Sequence, residues 1–174
     1  EHRQCREAAG LFDVSHMGEV RVRGPKALDA VRGLVTNDVQ IAQGQAQYTA
    51  VCNPEGGIVD DVLVYHLAQD NVLICVNAAN RDKDFQWFVD HNPFPEDATF
   101  TDESDDWAQV AIQGRVAATI LQTLTSVDLS SIGTYWFAEG TVAGVEGCIL
   151  ARTGYTGEDG FEVFLPPSGA DRIW

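Results

Sequence analysis

The chain has 174 residues, of which 45% are hydrophobic and 21% charged, and its formal net charge at pH 7 is −15. This composition is typical of a globular protein, and the length suffices for one large domain or two small ones. The acidic charge argues against general binding to nucleic acid or to an anionic membrane, because both require a basic protein surface. The apolar runs are too short to cross a bilayer.

Cysteine and histidine are scattered along the chain, without a C-x-x-C pair or a metal-ligand spacing. Three of the cysteines lie in apolar, strand-like runs, where cysteine usually acts as a small hydrophobic residue. We therefore expect reduced thiols and no metal site. The residues concerned are Cys5, Cys52, Cys75, Cys148, His2, His16, His66 and His91.

The first predicted element is a short alternating strand, Gly18 to Arg23. The segment G-P-K-A-L-D-A-V-R-G-L-V then predicts a helix, because proline is tolerated in a first turn and apolar residues recur at helical spacing. Further strands are predicted at Ala46–Cys52 and Ile58–Leu67, joined by a P-E-G-G turn, and at Val72–Asn77.

A second predicted helix follows, with Asn80 or Asp82 as its N-cap, and residues 91–97 form a loop. Strands at Gly140–Ala151 and Phe161–Leu165 come near the end of the chain. The final R-I-W lies in what reads as a helix.

A strand–turn–helix pattern occurs twice, at an offset that aligns Gly24 with Gly114. Apolar or small residues then coincide on both copies. The pairs are Val20 with Val110, Val22 with Ile112, Ala27 with Ala117, Val31 with Leu121 and Leu34 with Leu124. Chance convergence of two amphipathic units is the simpler explanation, and a true repeat would give two similar α+β halves.

Strands that follow one another in adjacent hairpins favour antiparallel pairing, because parallel pairs need helical crossovers. We therefore predict an α+β fold of antiparallel sheets with packed helices. The expected division is a first unit at 1–105 and a second at 106–174, the latter incomplete at its C-terminal end.

Two adjacent carboxylates stand at the head of an apolar strand in N-P-E-G-G-I-V-D-D-V-L-V-Y, which begins at Asn53. Side chains alternate along a strand, so Asp61 and Tyr65 share one face and Asp60 takes the other. Asp60 is expected to bond amides of the nearby turn. Asp61 lies further into the strand, where a carboxylate in partly apolar surroundings needs a cation or a hydrogen-bond donor. A bound ligand would supply one.

The loop R-T-G-Y-T-G-E-D-G leads into a strand on which Glu162 and Phe164 share one face. Its glycines let the backbone approach a ligand closely, but no helix follows, as a phosphate-binding loop would require. A carboxylate beside an aromatic surface suits a flat heterocycle with a row of N–H donors. The alternative is an edge-strand glutamate that faces water.

A third distinctive loop is F-D-V-S-H-M-G-E, Phe12 to Glu19. Taken alone, it has a simple explanation: Asp13 or Ser15 caps a turn and His16 is a surface histidine.

Together these stretches, with T-N-D-V and V-N-A-A-N-R-D-K-D, closely resemble the aminomethyltransferase (T-protein) family of the glycine cleavage system, in order and in spacing. The resemblance extends over essentially the whole chain, but the chain resembles only the N-terminal and central part of that family's length. The missing initiator Met also suggests an excised fragment. The chain departs from the family at Q-G-R, Gln113 to Arg115, where Q-G-P is usual; this affects a helix start and not the chemistry.

The resemblance implies transfer of a one-carbon unit from the aminomethyl-lipoyl arm of H-protein to tetrahydrofolate, with release of ammonia. By the family's motifs, Asp61 is the catalytic carboxylate and Glu162 binds the pterin. Further folate contacts carried over from the motifs are Tyr48, Tyr65, Asn77, Tyr155 and Met17. The implied partners are lipoylated H-protein and tetrahydrofolate, with no nucleic acid, membrane or metal. The expected compartment is the cytoplasm of a bacterium or the mitochondrial matrix of a eukaryote.

Two other interpretations stay open. One is the folate domain of a sarcosine- or dimethylglycine-dehydrogenase-type enzyme, which resembles T-protein; no flavin-binding glycine fingerprint is present in this chain. The other is a folate-binding regulatory protein without transferase activity. Relatives of that kind carry a cysteine-containing motif where this chain has R-T-G-Y-T-G, and Asp61 favours retained catalysis.

Overall fold

The strands of this protein pair only with neighbours that run in the opposite direction. The computed structural model describes residues 2–174, and within them ten strands form two five-stranded sheets. The strands are β1 (Gly10–Asp13), β2 (Gly18–Arg23), β3 (Ala46–Cys52), β4 (Ile58–Ala68), β5 (Asn71–Val76), β6 (Thr99–Asp102), β7 (Ala108–Gln113), β8 (Phe137–Val142), β9 (Val145–Ala151) and β10 (Gly160–Leu165). This confirms the predicted α+β class with antiparallel sheets.

Five short α-helices accompany the sheets within the described part of the chain. They are α1 (His2–Glu7), α2 (Ala27–Arg32), α3 (Arg81–Asp90), α4 (Ala117–Gln122) and α5 (Ala170–Ile173). Single 3₁₀ turns occur at Ala78–Asn80, Ser104–Asp106, Leu129–Ser131 and Pro167–Gly169. Asn80 is the N-cap residue of α3, as predicted, but its side chain makes no capping bond to that helix.

The chain divides into two compact units. We call Met17–Ser104 the Asp61 unit, and residues 2–16 together with Asp105–Trp174 the Glu162 unit. The sheet order is β3-β4-β5-β2-β6 in the Asp61 unit and β8-β9-β10-β7-β1 in the Glu162 unit. The division into domains at 105/106 stays a prediction, but residues 2–16 pack with the second half of the chain and not with the first.

The two units repeat each other. Strand β7 and helix α4 lie 90 positions after β2 and α2, the offset found in the sequence. Gly24 and Gly114, which follow these strands, both have φ of 129°. A Cβ on Gly24 would lie 2.2 Å from the Asp97 carbonyl oxygen, and one on Gly114 2.5 Å from that of Ala8. Both turns therefore require glycine.

The repeats exchange their edge strands. Strand β1 precedes β2 in the chain but pairs with β7, whereas β6 precedes β7 but pairs with β2. Each edge strand ends in an Asp-x-Ser sequence whose serine N–H donates to the aspartate, at 3.0 Å for Ser15 to Asp13 and 3.0 Å for Ser104 to Asp102. These short strands had no periodic signal and were not predicted.

Each sheet has a hydrophobic core on the face that carries its helices. In the Asp61 unit, α2 and α3 pack on that face. The central members of this core are Val20, Val22, Val31, Val62, Val64, Ile74, Val76 and Phe88. In the Glu162 unit, α4 packs on a face formed by Val110, Ile112, Leu150, Phe161, Val163 and Leu165.

One predicted strand is in fact a hairpin. The stretch predicted as a single strand, Gly140–Ala151, contains the turn between β8 and β9, at Ala143 (φ 50°) and Gly144 (φ 78°). Positive φ at both turn residues is the geometry of a two-residue hairpin turn. An Ala-Gly pair lacks the Asn-Gly or Asp-Gly signature, so the sequence did not reveal the reversal.

Candidate active site

The first candidate group lies where β4 begins in the Asp61 unit. The Tyr48 hydroxyl donates to Asp61 Oδ2 at 2.7 Å. The Asn77 side-chain amide donates to the Asp61 carbonyl oxygen at 2.9 Å and reaches Asp61 Oδ1 at 3.5 Å. Three of the residues predicted for the site are thus brought together, and two donors fix the orientation of Asp61.

The environment of the Asp pair differs from the expectation. Asp61 is exposed, so the prediction that this carboxylate lies in apolar surroundings is wrong, and the buried member is Asp60, which is 5% exposed. The expected turn amides are not its partners either. Asp60 accepts from the Asn77 backbone N–H at 3.2 Å, from Asn77 Nδ2 at 3.0 Å and from Asn80 Nδ2 at 2.8 Å. The turn is instead closed by Asn53, which accepts from the Gly57 N–H at 2.7 Å.

Two further predicted residues lie in the same unit. Tyr65 is fully buried four residues beyond Asp61 on the same strand face, between Ala46 on β3 and Leu73 on β5. Met17 is half-buried and immediately precedes β2. Because Gly18 pairs with Val76, Met17 and Asn77 lie at the same end of the paired strands β2 and β5.

The second candidate group is centred on Glu162, in the middle of β10. The carboxylate is 9% exposed and accepts a short hydrogen bond from the Thr153 hydroxyl. Its two cross-strand neighbours are Ala111 on β7 and Ala151 on β9. Burial raises the pKa of Glu162, although the bond from Thr153 opposes this shift. The alternative of an edge-strand glutamate facing water is excluded, because β10 is the central strand of its sheet.

A glycine-rich loop joins β9 to β10 beside Glu162. Arg152 forms a bidentate ion pair with Asp159 at 2.8 and 2.7 Å across the base of this loop. Gln113, which is 1% exposed, donates to the carbonyl oxygens of Thr153 at 3.1 Å and Phe161 at 3.3 Å, and accepts from the Thr156 hydroxyl at 3.0 Å. Tyr155, at the tip of this loop, is 98% exposed.

Sequence reasoning overlooked Gln113 and Thr153 as supports of this group. Both belong to motifs that were noted, Q-G and R-T-G, but a buried amide that holds a loop has no signature of its own. The flanking alanines were also overlooked, because cross-strand neighbours are known only once the register is known.

No group of three or more His, Cys, Asp or Glu residues within 2–174 is arranged to hold a metal ion. The four cysteines are free thiols. Within the same residues, no helix has the length and apolar character needed to span a membrane.

Comparison with known proteins links these groups to a described family. The model of the GCVT N-terminal domain matches residues 1–174. Over its whole length the chain is 51% identical to an aminomethyltransferase of Desulfitobacterium hafniense and 49% identical to one of Lysinibacillus sphaericus, and it covers 47% of each of those proteins. The chain therefore spans about half the length of the curated relatives it matches.

Two solved structures are similar. The crystal structure of glycine cleavage system aminomethyltransferase T from Bartonella henselae has a TM-score of 0.86 and 29% identity, covering 99% of this chain and 47% of that one. A heterotetrameric sarcosine oxidase from Corynebacterium has a TM-score of 0.70 and 18% identity, covering 95% of this chain and 79% of that one. The second likeness concerns the fold alone.

Proposed function

Given that the chain belongs to the GCVT N-terminal domain family, we propose that the full-length protein is a tetrahydrofolate-dependent aminomethyltransferase of the glycine cleavage system. It moves the one-carbon unit of the aminomethyl group on the lipoyl arm of H-protein to tetrahydrofolate, which gives 5,10-methylenetetrahydrofolate, and the amino nitrogen leaves as ammonia while the reduced lipoyl arm is released. The observation that carries this proposal is the exposed Asp61 carboxylate, which accepts a hydrogen bond from Tyr48, while Asn77 donates to the backbone carbonyl oxygen of the same residue.

Asp61 is the proposed catalytic residue. The one-carbon unit exchanges its bonds to sulfur and to the amino nitrogen for bonds to two nitrogens of tetrahydrofolate, and positive charge develops on the folate nitrogen as it attacks the carbon. A carboxylate that is already oriented stabilises this charge without having to reorganise during the reaction. The same carboxylate is placed to orient the accepting nitrogen of tetrahydrofolate.

The surroundings of Glu162 fit a pterin. A carboxylate accepts two parallel hydrogen bonds from adjacent N–H groups of a flat ring, which gives both strength and specificity. Ala111 and Ala151 on the flanking strands leave space beside that carboxylate, whereas larger side chains would fill it. The remaining proposed folate contacts are Tyr48, Tyr65, Asn77, Tyr155 and Met17.

The partners and compartment belong to the same proposal. Lipoylated H-protein is the proposed donor, and the bacterial cytoplasm is the proposed location because the similar curated proteins are bacterial. The alternatives of a dehydrogenase folate domain or a regulatory folate-binding protein are less well supported. The similar curated proteins are named aminomethyltransferase, at identities close to half.

The deciding experiment is an assay of 5,10-methylenetetrahydrofolate formation by the full-length protein with aminomethylated H-protein and tetrahydrofolate. Asp61→Asn preserves shape but removes the charge, so turnover should fall by about 10²–10³. Folding and folate affinity should change little, because Asp61 is exposed.

Asp60→Asn is the matched comparison. Its main effect should be reduced thermal stability, because the buried Asp60 carboxylate accepts hydrogen bonds from Asn77 and Asn80. Its loss of turnover should be smaller than that of Asp61→Asn. Wild-type protein without H-protein-dependent activity would reject the proposed function. If both variants fold and Asp60→Asn reduces turnover more, the assignment of Asp61 is wrong.

A further inference from the structure

A second carboxyl pair lies behind Asp61, on the helix-covered face of the sheet. Asp60 on β4 and Asp84 in the first turn of α3 are both buried, Asp84 completely. Burying two carboxylates next to each other is costly unless one keeps its proton. Nothing in the proposed transfer uses Asp84 directly, so its burial calls for an explanation.

Asp60 is the ionised member of this pair. Burial alone would raise its pKa, but the hydrogen bonds from Asp84, Asn77 and Asn80 together outweigh burial and lower the pKa. The donors from Asn77 and Asn80 lie at 2.8–3.2 Å from the carboxylate oxygens of Asp60.

Both carboxyl oxygens of Asp84 are buried, and neither accepts a hydrogen bond from the described residues, which favours the protonated form. Burial raises the pKa of Asp84 to about 7, the hydrogen bond and charge of Asp60 act in the same direction, and Lys83 opposes them. Lys83 Nζ lies 3.2 Å from Asp84 Oδ1 and also donates to the carbonyl oxygen of Val59, the residue before Asp60. The O–H of a neutral Asp84 is able to donate to the charged Asp60 carboxylate.

The other elements packed around Asp84 do not change this balance. The side chains of β2 and β5 that belong to the core on the helix-covered face, such as Val20 and Ile74, are apolar. On β6, Asp102 is paired with Arg81, with Nε to Oδ2 at 3.1 Å. Asp60 and Lys83 are therefore the charged groups that act on the Asp84 carboxyl.

Asn77 connects the buried pair to the candidate catalytic residue. Its side-chain Nδ2 donates to Asp60 Oδ1 at 3.0 Å and to the Asp61 carbonyl oxygen at 2.9 Å. The orientation of this amide therefore depends on Asp60, and the position of Asp61 depends on the amide.

We propose that Asp84 is a positioning residue for the transfer: its carboxyl proton holds Asp60, and through Asn77 it holds Asp61 in its working orientation. This inference rests on the proposed function. When Asp84 loses its proton, two like charges face each other in a buried site, and Asp60 and Asn77 shift away from the arrangement that orients Asp61.

The test compares Asp84→Asn with Asp84→Leu in the full-length enzyme. Wild-type kcat should fall as pH rises through the pKa of about 7. Asp84→Asn keeps a donor toward Asp60 and cannot ionise, so it should retain most of kcat and lack this decline. Asp84→Leu should lower kcat at every pH, by up to about a hundredfold, with KM for tetrahydrofolate unchanged. Asp82→Asn, an exposed change on the same helix, should keep the wild-type profile.

A readout independent of turnover separates this inference from the proposed function. In wild-type protein, the NMR resonances of the Asn77 side-chain amide should shift with the Asp84 titration, and this shift should vanish in Asp84→Asn. If the wild-type protein lacks transferase activity but its Asn77 amide still shifts with pH, the proposed function is rejected, and the coupling of Asp84 to Asn77 is retained. An Asn77 amide that does not respond to pH, or an Asp84→Asn enzyme that keeps the wild-type decline in kcat, would overturn the positioning role.

Discussion

The two units of this protein share one topology and differ in what their sheets carry. Three adjacent strands of the Glu162 unit place Ala111, Glu162 and Ala151 side by side. The corresponding strands of the Asp61 unit place Arg21, Leu73 and Tyr65 in the same register. One unit therefore has a carboxylate between small residues, and the other has an apolar side chain between large ones.

The comparison teaches that the repeat provides the frame and that a few substitutions provide the chemistry. Glu162 and Leu73 are both buried at equivalent places. In the Asp61 unit the proposed chemistry lies instead near the start of β4, where Asp61 contacts Tyr48 and Asn77. A chain that duplicates a fold can keep both cores and specialise each sheet separately.

The largest expected effect comes from making the Glu162 unit resemble the Asp61 unit. Glu162→Leu removes a charged, bidentate acceptor, and each charged hydrogen bond contributes about 1.5–3 kcal/mol. Folate affinity in the full-length protein should therefore fall by at least about a hundredfold, or about 2.7 kcal/mol. The thermal midpoint should not fall, because a desolvated carboxyl is replaced by an apolar group. Isothermal titration and thermal melts measure the two quantities.

Glu162→Gln is the milder partner of that change. It keeps the shape but presents a donor to N–H groups, so affinity should fall by more than about tenfold. Unchanged folate affinity in either variant would show that Glu162 does not bind folate. The presence of Glu162 in one unit and Leu73 in the other would then have no role in folate binding.

The next effect tests whether the two glycine turns are equivalent. Gly24→Ala and Gly114→Ala each place a Cβ against a carbonyl oxygen, at 2.2 and 2.5 Å, at φ of 129°. Each should lower the free energy of unfolding by about 1–3 kcal/mol or more. Gly56→Ala, at φ of 84° but with no atom close to the added Cβ, is the control and should cost about 1 kcal/mol. If denaturant melts show that only one of the two substitutions lowers the free energy of unfolding, the two glycine turns are not equivalent.

A third effect, on stability, should differ between two glutamines of the Glu162 unit. The side chain of each makes three hydrogen bonds. Gln113 is buried and holds the loop that carries Tyr155, whereas Gln122 is exposed. Gln113→Met should destabilise the protein by about 1–3 kcal/mol, since buried backbone carbonyls lose their donor. Gln122→Met, whose freed partners can bond water, should cost less than about 1 kcal/mol. Equal losses in thermal melts would mean that Gln113 has no special role.

A fourth effect, on the pH dependence of stability, concerns another equivalent pair, Glu19 and Gln109. Both are 1% exposed, and the backbone N–H of each donates to the serine of an Asp-x-Ser sequence, at 2.9 and 3.0 Å. Burial raises the pKa of Glu19 to about 8, Arg81 opposes the shift, and Asp102 adds to it. A carboxyl with a raised pKa binds its proton more tightly in the folded state, so stability falls as pH rises from about 4.3 toward that pKa.

Glu19→Gln makes this position match Gln109 and removes the titration. Relative to the wild type, its free energy of unfolding should rise with pH and level off above about 8, with a gain on the order of 1–3 kcal/mol. Denaturant melts across this range measure the gain. A constant difference between the two proteins at all pH values would show that Glu19 does not titrate with folding.

The sequence predicted four of the five strands of the Asp61 unit to within one residue at each end. Strands β2 and β3 have the predicted bounds, although β3 lies at an edge of its sheet. The edge strands β1 and β6 are four residues long and carry too few positions for a periodic signal. The reversal at Ala143 was invisible because its turn residues are atypical.

For the candidate site, the sequence correctly separated the faces of Asp60 and Asp61. It could not predict which carboxylate is buried, because burial of Asp60 depends on where α3 packs. The sequence could not predict the proposed role of Asp84 for the same reason, because Asp84 lies on a helix and its partner Asp60 on a strand that is distant in sequence. Local pattern determines which way a side chain points, and tertiary packing determines what it meets.

The exchange of edge strands has a consequence for synthesis on the ribosome. The Asp61 unit is a contiguous segment, so it can complete its sheet as soon as β6 emerges. Strand β1 emerges before the Asp61 unit but must wait for β7, whose partner residues begin at Val110, opposite Asp13. At about 5–20 residues per second this delay lasts roughly 5–20 s, during which an unpaired strand stays available to other chains. During synthesis β1 thus stays unpaired while the Asp61 unit is already able to fold, and a chaperone that covers exposed strand edges would act in this interval.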